Sequence, residues 1–328
     1  MKRNALLLII AVVVLICSAT ASSAQKKDKD KLKDRDFEQG EQMERTIPAS
    51  QNVVLSVCMA SGEIQVHGWD RPEVKVTATN VRQLELQGGG LNPSQRVEVL
   101  ASNRSRTAIE EPLAADCHAS SDLEINVPRG ATVVVKLRNG NIEVSQVAVA
   151  RIENTSGDIS ISKVTNGVEA VTISGDLDLT DSGGRVRLRT VGGDIDATNI
   201  KSVEPGDDFN ASSTGGDIDI VAVSLSSVSA STTSGMITLT GQLARRGKYE
   251  LNTFSGDIEL NISQDSAFRI NARAPQGSIT TDFAIKSAND TDSQNLLESG
   301  ILTGTYGSGD WASLTVHSFS GGVRLQKR

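Results

Sequence analysis

One tripeptide recurs along this chain at intervals too short for separate domains and too regular for unrelated loops. A glycine, most often between Ser and Asp, stands at positions 140, 157, 175, 193, 216, 235, 256, 277 and 321, so the successive steps are 17, 18, 18, 23, 19, 21, 21 and 44. A unit of this length cannot enclose a core by itself and must bury its apolar face against copies of itself. The arrangement around each glycine says how. Two and four residues after it come pairs such as Leu177/Leu179, Ile195/Ala197, Ile218/Ile220 and Ile258/Leu260. Seven and five residues before it come Val186/Leu188, Phe209/Ala211, Val228/Ala230 and Tyr249/Leu251. Both sets alternate with period two, which is the signature of short strands with one buried face. The expected fold is therefore all-β: a parallel β-solenoid of 17–23 residues per coil over 131–328, two strands meeting at each Ser-Gly-Asp corner.

The corner residues form a predicted structural ladder: Gly157, Asp158, Gly175, Asp176, Gly193, Asp194, Gly216, Asp217, Gly256 and Asp257. A corner that needs positive φ explains the glycine. The Asp is expected to accept hydrogen bonds from its own turn. A calcium ladder is the competing reading, but the Gly-Gly-x-Gly-x-Asp nonapeptide of calcium-binding solenoids is absent. Three residues before the glycine the inward column turns hydroxylic, at Thr172, Thr190, Ser213, Thr232, Thr253 and Ser318. Either coil-to-coil hydrogen bonding or the demands of a tight corner accounts for it.

The ends are less regular. The last step of 44 residues holds one coil plus an insertion, placed at about 287–310. Upstream, the motif occurs once more at Ser61-Gly62-Glu63, within a stretch over 51–130 that reads as the first strands together with an antiparallel or irregular β cap for the open end of the stack. Before that, Gln25 to Arg45 carries Lys/Arg and Asp/Glu in equal number and almost nothing apolar, the composition of a solvated linker over 25–50.

Residues 1–24 read as a signal peptide: a basic head at Lys2 and Arg3, an apolar run from Ala5 to Cys17, and small residues up to Ala24. The apolar run is too short to span a bilayer as a helix. Its removal leaves 31 basic against 40 acidic residues, a net charge near −9. Nucleic acid is excluded as a partner by that balance. The reading places the mature chain outside the cytoplasm, in the periplasm or at the surface, with no integral membrane segment. There Cys58 and Cys117 have two readings, a disulfide or a pair of buried thiols.

Chemistry is hard to find. His67, His118 and His317 lack metal-ligand spacing, and no Gly-x-Ser-x-Gly elbow accompanies a triad. Trp69 and Trp311 are too few for a sugar-stacking track and suit loop pinning instead. No catalytic, cofactor-binding or metal-binding residue is assigned, and the chain is not expected to be an enzyme.

The run Leu123 to Val144, the reiterated Ser-Gly-Asp-Ile and the ending Tyr306 to Leu325 resemble a bacterial putative-adhesin family of unknown function, over residues 53–328. The resemblance implies an exported, envelope-associated, non-enzymatic β-solenoid and brings no catalytic residues. The expectation is an adhesin or scaffold facing an unknown envelope or surface ligand, glycan or protein. A lyase or glycosidase on a β-helix is the alternative from another class, and an envelope-stress accessory a third.

Overall fold

A computed structural model of the chain describes residues 42–90, 95–103, 117–286 and 300–328. The expected signal peptide, most of the charged linker and residues 287–299 of the insertion lie outside them. Among the described residues every regular element is a strand, arranged in two sheets of 13 strands each. Each coil sends one strand into each sheet. The aliphatic columns run in register from coil to coil, Leu177 beside Ile195, Ile218, Ile237 and Ile258 in one sheet. In the other sheet Val186 lies beside Phe209, Val228 and Tyr249. All of these are buried between the sheets, with Ile195, Ile218, Ile237 and Ile258 at 0% exposure. The parallel solenoid expected from the period-two pattern is the observed fold.

A second corner was not visible in the sequence. Six residues after the repeat glycine the chain turns through positive φ at Gln146, Lys163, Asp181, Asn199 and Ala222, with φ between 50° and 58°. None of these is glycine, so composition alone did not mark the turn. It feeds a further inward column, Val147, Val164, Ser182, Ile200 and Val223.

Both ends depart from simple sequential stacking. The expected cap contains two coils of the solenoid. Val54–Ser61 and Ile64–Trp69 pair in parallel with Thr132–Asn139 and Ile142–Ser145. Arg96–Ser102 and Asp122–Pro128 then stack on the outer side of that coil, also in parallel. The antiparallel part is confined to the end itself: Glu73–Thr79 on Asp122–Pro128, Gln83–Gly88 on Arg96–Ser102, and Gln42–Pro48 on Glu73–Thr79. The strand Gln42–Pro48 thus begins inside the stretch read as linker, with Met43 and Ile47 packed on the core.

At the other end the last coil in sequence is not the last in space. Ala312–Ser318 lies between Lys248–Thr253 and Phe268–Arg273, and Val323–Lys327 lies between Ile258–Ile262 and Ile279–Thr281. Ile270/Ala272 and Leu314/Val316 present the same alternation, so nothing local dictates which coil stacks on Tyr249/Leu251. The insertion also holds a strand, Ile301–Tyr306, antiparallel on Phe268–Arg273. It brings Tyr306 against Phe268 and Phe283, and the Lys327 ammonium stands 5.4 Å from the Phe283 ring centre, closing this end of the core.

Candidate binding surface

The corner is a ladder in three strands of hydrogen bonding. The Ser213 hydroxyl donates to the Gly193 carbonyl at 3.0 Å and accepts the Gly216 N–H of its own coil at 2.9 Å. Ser318 does the same toward Gly256 and Gly321, at 2.8 and 2.9 Å. The hydroxyl column therefore bonds both ways, along the stack and within the corner. One member is different. Asn154 donates its amide to both the Gly140 and the Gly157 carbonyls. That satisfies the acceptor Thr172 would use, and the buried Thr172 Oγ1 has no partner.

The Asp column also bonds along the stack, not within its own turn as expected. Asp158 Oδ1 accepts the N–H of Asp176 at 3.0 Å, Asp176 that of Asp194 at 2.8 Å, Asp194 that of Asp217 at 2.7 Å and Asp217 that of Met236 at 2.7 Å. Asp257 serves Gly322 in the intercalated coil. The sequence pattern points to a partner in the turn because only the turn is close along the chain.

Positive φ is not what the repeat glycines have in common. Gly140, Gly157 and Gly175 do have positive φ, but Gly193, Gly216, Gly256 and Gly321 lie outside that region. What they share is contact: a Cβ on any of them would lie against the carbonyl oxygen of the glycine in the adjoining coil. The repeat needs glycine because the backbones stack without room for a side chain.

Outward from the corner, Asp178, Asp196 and Asp219 stand side by side on one sheet. Burial raises the Asp178 carboxyl above the ordinary 3.8, and Asp176 and Asp158 raise it further. For Asp196 burial is again the first cause, then the charges of Asp219, Asp178, Asp194 and Asp176. Among the described residues no group of three His, Cys, Asp or Glu side chains has metal-binding geometry.

Two residues before each glycine lies a column that sequence reasoning passed over: Thr155, Ile173, Val191, Thr214, Thr233, Phe254 and Phe319. Its carbonyls accept N–H groups from successive coils, as Ile173 does from Gly192 and Phe254 from Ser320. Ile173, Val191, Phe254 and Phe319 are 54%, 47%, 57% and 36% exposed, and the two Phe rings stack with centroids 4.9 Å apart. The signal was available, since apolar residues at an outward position break the alternation.

Near Ile173 an open cleft of about 530 Å³ is bordered by Cys58, Cys117, Lys136, Glu153 and Val171. Cys58 and Cys117 are joined as a disulfide with Cα atoms 4.8 Å apart. Glu153 is the cleft's carboxylate and pairs with Lys136 at 2.7 Å. The structure brings none of the three histidines together: His67 Nδ1 lies 2.8 Å from Ser145 Oγ, and His317 sits on the outward face at the opposite end. Each indole donates to a carbonyl four residues away, Trp69 to Glu73 and Trp311 to Gly307, so both pin their own turns.

Residues 20–326 of the chain match one family model. The chain belongs to the Toastrack DUF4097 family. No curated protein matches it. Among solved structures, a putative cell adhesion protein from Clostridium sporogenes is 10% identical with a TM-score of 0.25, the match covering 88% of this chain and 100% of that one. A putative adhesin from Parabacteroides merdae is 12% identical with a TM-score of 0.32, over 87% of this chain and 96% of that one. In this Toastrack chain the repeat glycines mark the edge where the two sheets meet. No helix among the described residues is long and apolar enough to cross a membrane.

Proposed function

We propose that this Toastrack protein is an exported, non-enzymatic component of the cell envelope, an adhesin or scaffold that presents a rigid solenoid surface. The observation that carries the reading is the form of that surface. Outward side chains stand in parallel columns locked by the Asp and hydroxyl ladders, and they do not converge on a point. Catalysis needs convergent groups around a reacting atom. The cleft beside the disulfide offers a carboxylate already paired with Lys136 and, among its described lining residues, no aromatic platform, which supports display over a lyase or glycosidase. An exported location, with the leader ending at Ala24, fits the disulfide between Cys58 and Cys117. The ligand class is an extended envelope polymer, glycan or protein. The test is binding of the purified protein to cell-wall fractions and to glycan arrays, beside release of reducing ends or unsaturated sugars from the same glycans. Saturable binding without product is the expected result. Product formation would replace this reading with the enzymatic one.

A further inference from the structure

The exposed corner column alternates in character along the stack: Ile173 and Val191, then Thr214 and Thr233, then Phe254 and the stacked Phe319. At about 4.8 Å per coil the strip is about 24 Å long. Exposing apolar side chains in a row is costly in water, and such strips mark contact surfaces. The flanks say what fits. In the Gly193 coil Arg187 and Arg189 are exposed on one side of the strip, and Asp194 and Asp196 on the other. Asp194 engages one carboxylate oxygen with the Asp217 N–H, leaving its second oxygen for another donor.

We propose that this corner is the interface of a parallel homodimer, in which two solenoids lie side by side about a two-fold axis running along the stack. Such an axis keeps every coil level with its own copy and exchanges the flanks. Phe254 and Phe319 then meet their counterparts, as do Ile173 and Val191. The Asp194 side of each chain faces the Arg189 side of the other, twice by symmetry. The antiparallel alternative sets the column Asp176, Asp194, Asp217 and Asp257 against itself, which like-charge repulsion opposes.

Sedimentation equilibrium of the purified protein across a concentration series tests the arrangement. The expected result is a monomer–dimer equilibrium weakened at least tenfold by Phe254→Ser and by Arg189→Asp, and restored when Arg189→Asp is combined with Asp196→Arg, on the same flank as Asp194 but outside the hydrogen-bonded ladder. All three positions are exposed, and an unchanged circular dichroism spectrum shows that each variant keeps the solenoid. A wild-type protein that stays monomeric up to its solubility limit overturns the proposal. So does a dimer indifferent to both single substitutions, or one that the charge exchange does not restore.

Discussion

The backbone N–H of Asp194 is held by the side chain of Asp176, one coil earlier, at 2.8 Å. The corner carboxylate is therefore an inter-coil fastener, and Asn141, which holds the Asp158 N–H at 3.0 Å, shows that charge is dispensable for the task. Asp176→Asn is expected to leave stability nearly unchanged. Asp176→Ala orphans a donor and is expected to cost about 1–2 kcal/mol. Chemical denaturation of both variants checks the difference, and equal losses would contradict the ladder.

The outer carboxylates behave differently. Asp178 and Asp196 have folded-state pKa values raised above 3.8, so the folded chain holds protons more tightly than the unfolded one. Their contribution is fully present below 3.8 and is lost as pH rises through the raised values. At neutral pH Asp196→Asn is expected to raise the melting temperature slightly. The gap should close as pH falls toward 3.8, and moderate salt should narrow it as well. A gap that widens on acidification would rule out this origin.

Two substitutions separate close packing from backbone conformation. Gly216→Ala places a methyl against the Gly193 carbonyl and is expected to cost about 3 kcal/mol or more. Ala222 holds φ at 54°, so Ala222→Gly is expected to be neutral or stabilising by up to about 1 kcal/mol. Thermal unfolding of the pair should shift in opposite directions or leave Ala222→Gly unmoved.

Within the hydroxyl column, Thr172 and Ser213 have the same place in the repeat and different surroundings. Thr172→Val removes an unpartnered buried hydroxyl and is expected to be neutral or stabilising. Ser213→Ala breaks bonds to the Gly193 carbonyl and the Gly216 N–H and is expected to cost about 1–3 kcal/mol. Urea unfolding midpoints at unchanged slope would report both.

The intercalated coil makes a topological prediction. Removing residues 312–328 takes away the strands on which Phe268–Arg273 and Ile279–Thr281 pair. Residues 263–286 and 300–311 are then expected to become protease-sensitive, while the coils up to Ile262 stay protected. Limited proteolysis read by mass spectrometry distinguishes this from strictly sequential stacking, in which the truncation would trim one coil and leave its neighbour intact.

What the amino-acid order determined by itself is the coil: the alternation of Ile195 and Ala197, the glycine at the corner, and the inward facing of Ser213 and Thr232. Each follows from the geometry of a few consecutive residues, because side chains alternate along a strand and a corner has little space. The tertiary structure alone decided which coil adjoins which, so that Gly321 stacks on Gly256 and Gly277 comes after it. It also decided that Asp176 serves the next coil, that Gly193 is required by a neighbouring carbonyl instead of by φ, and that Thr172 is left without a partner. The physical reason is the same for all of them. Backbone pairing in a parallel solenoid joins segments far apart in sequence through groups every residue carries, so many coil orders share one local pattern and only the folded chain selects among them.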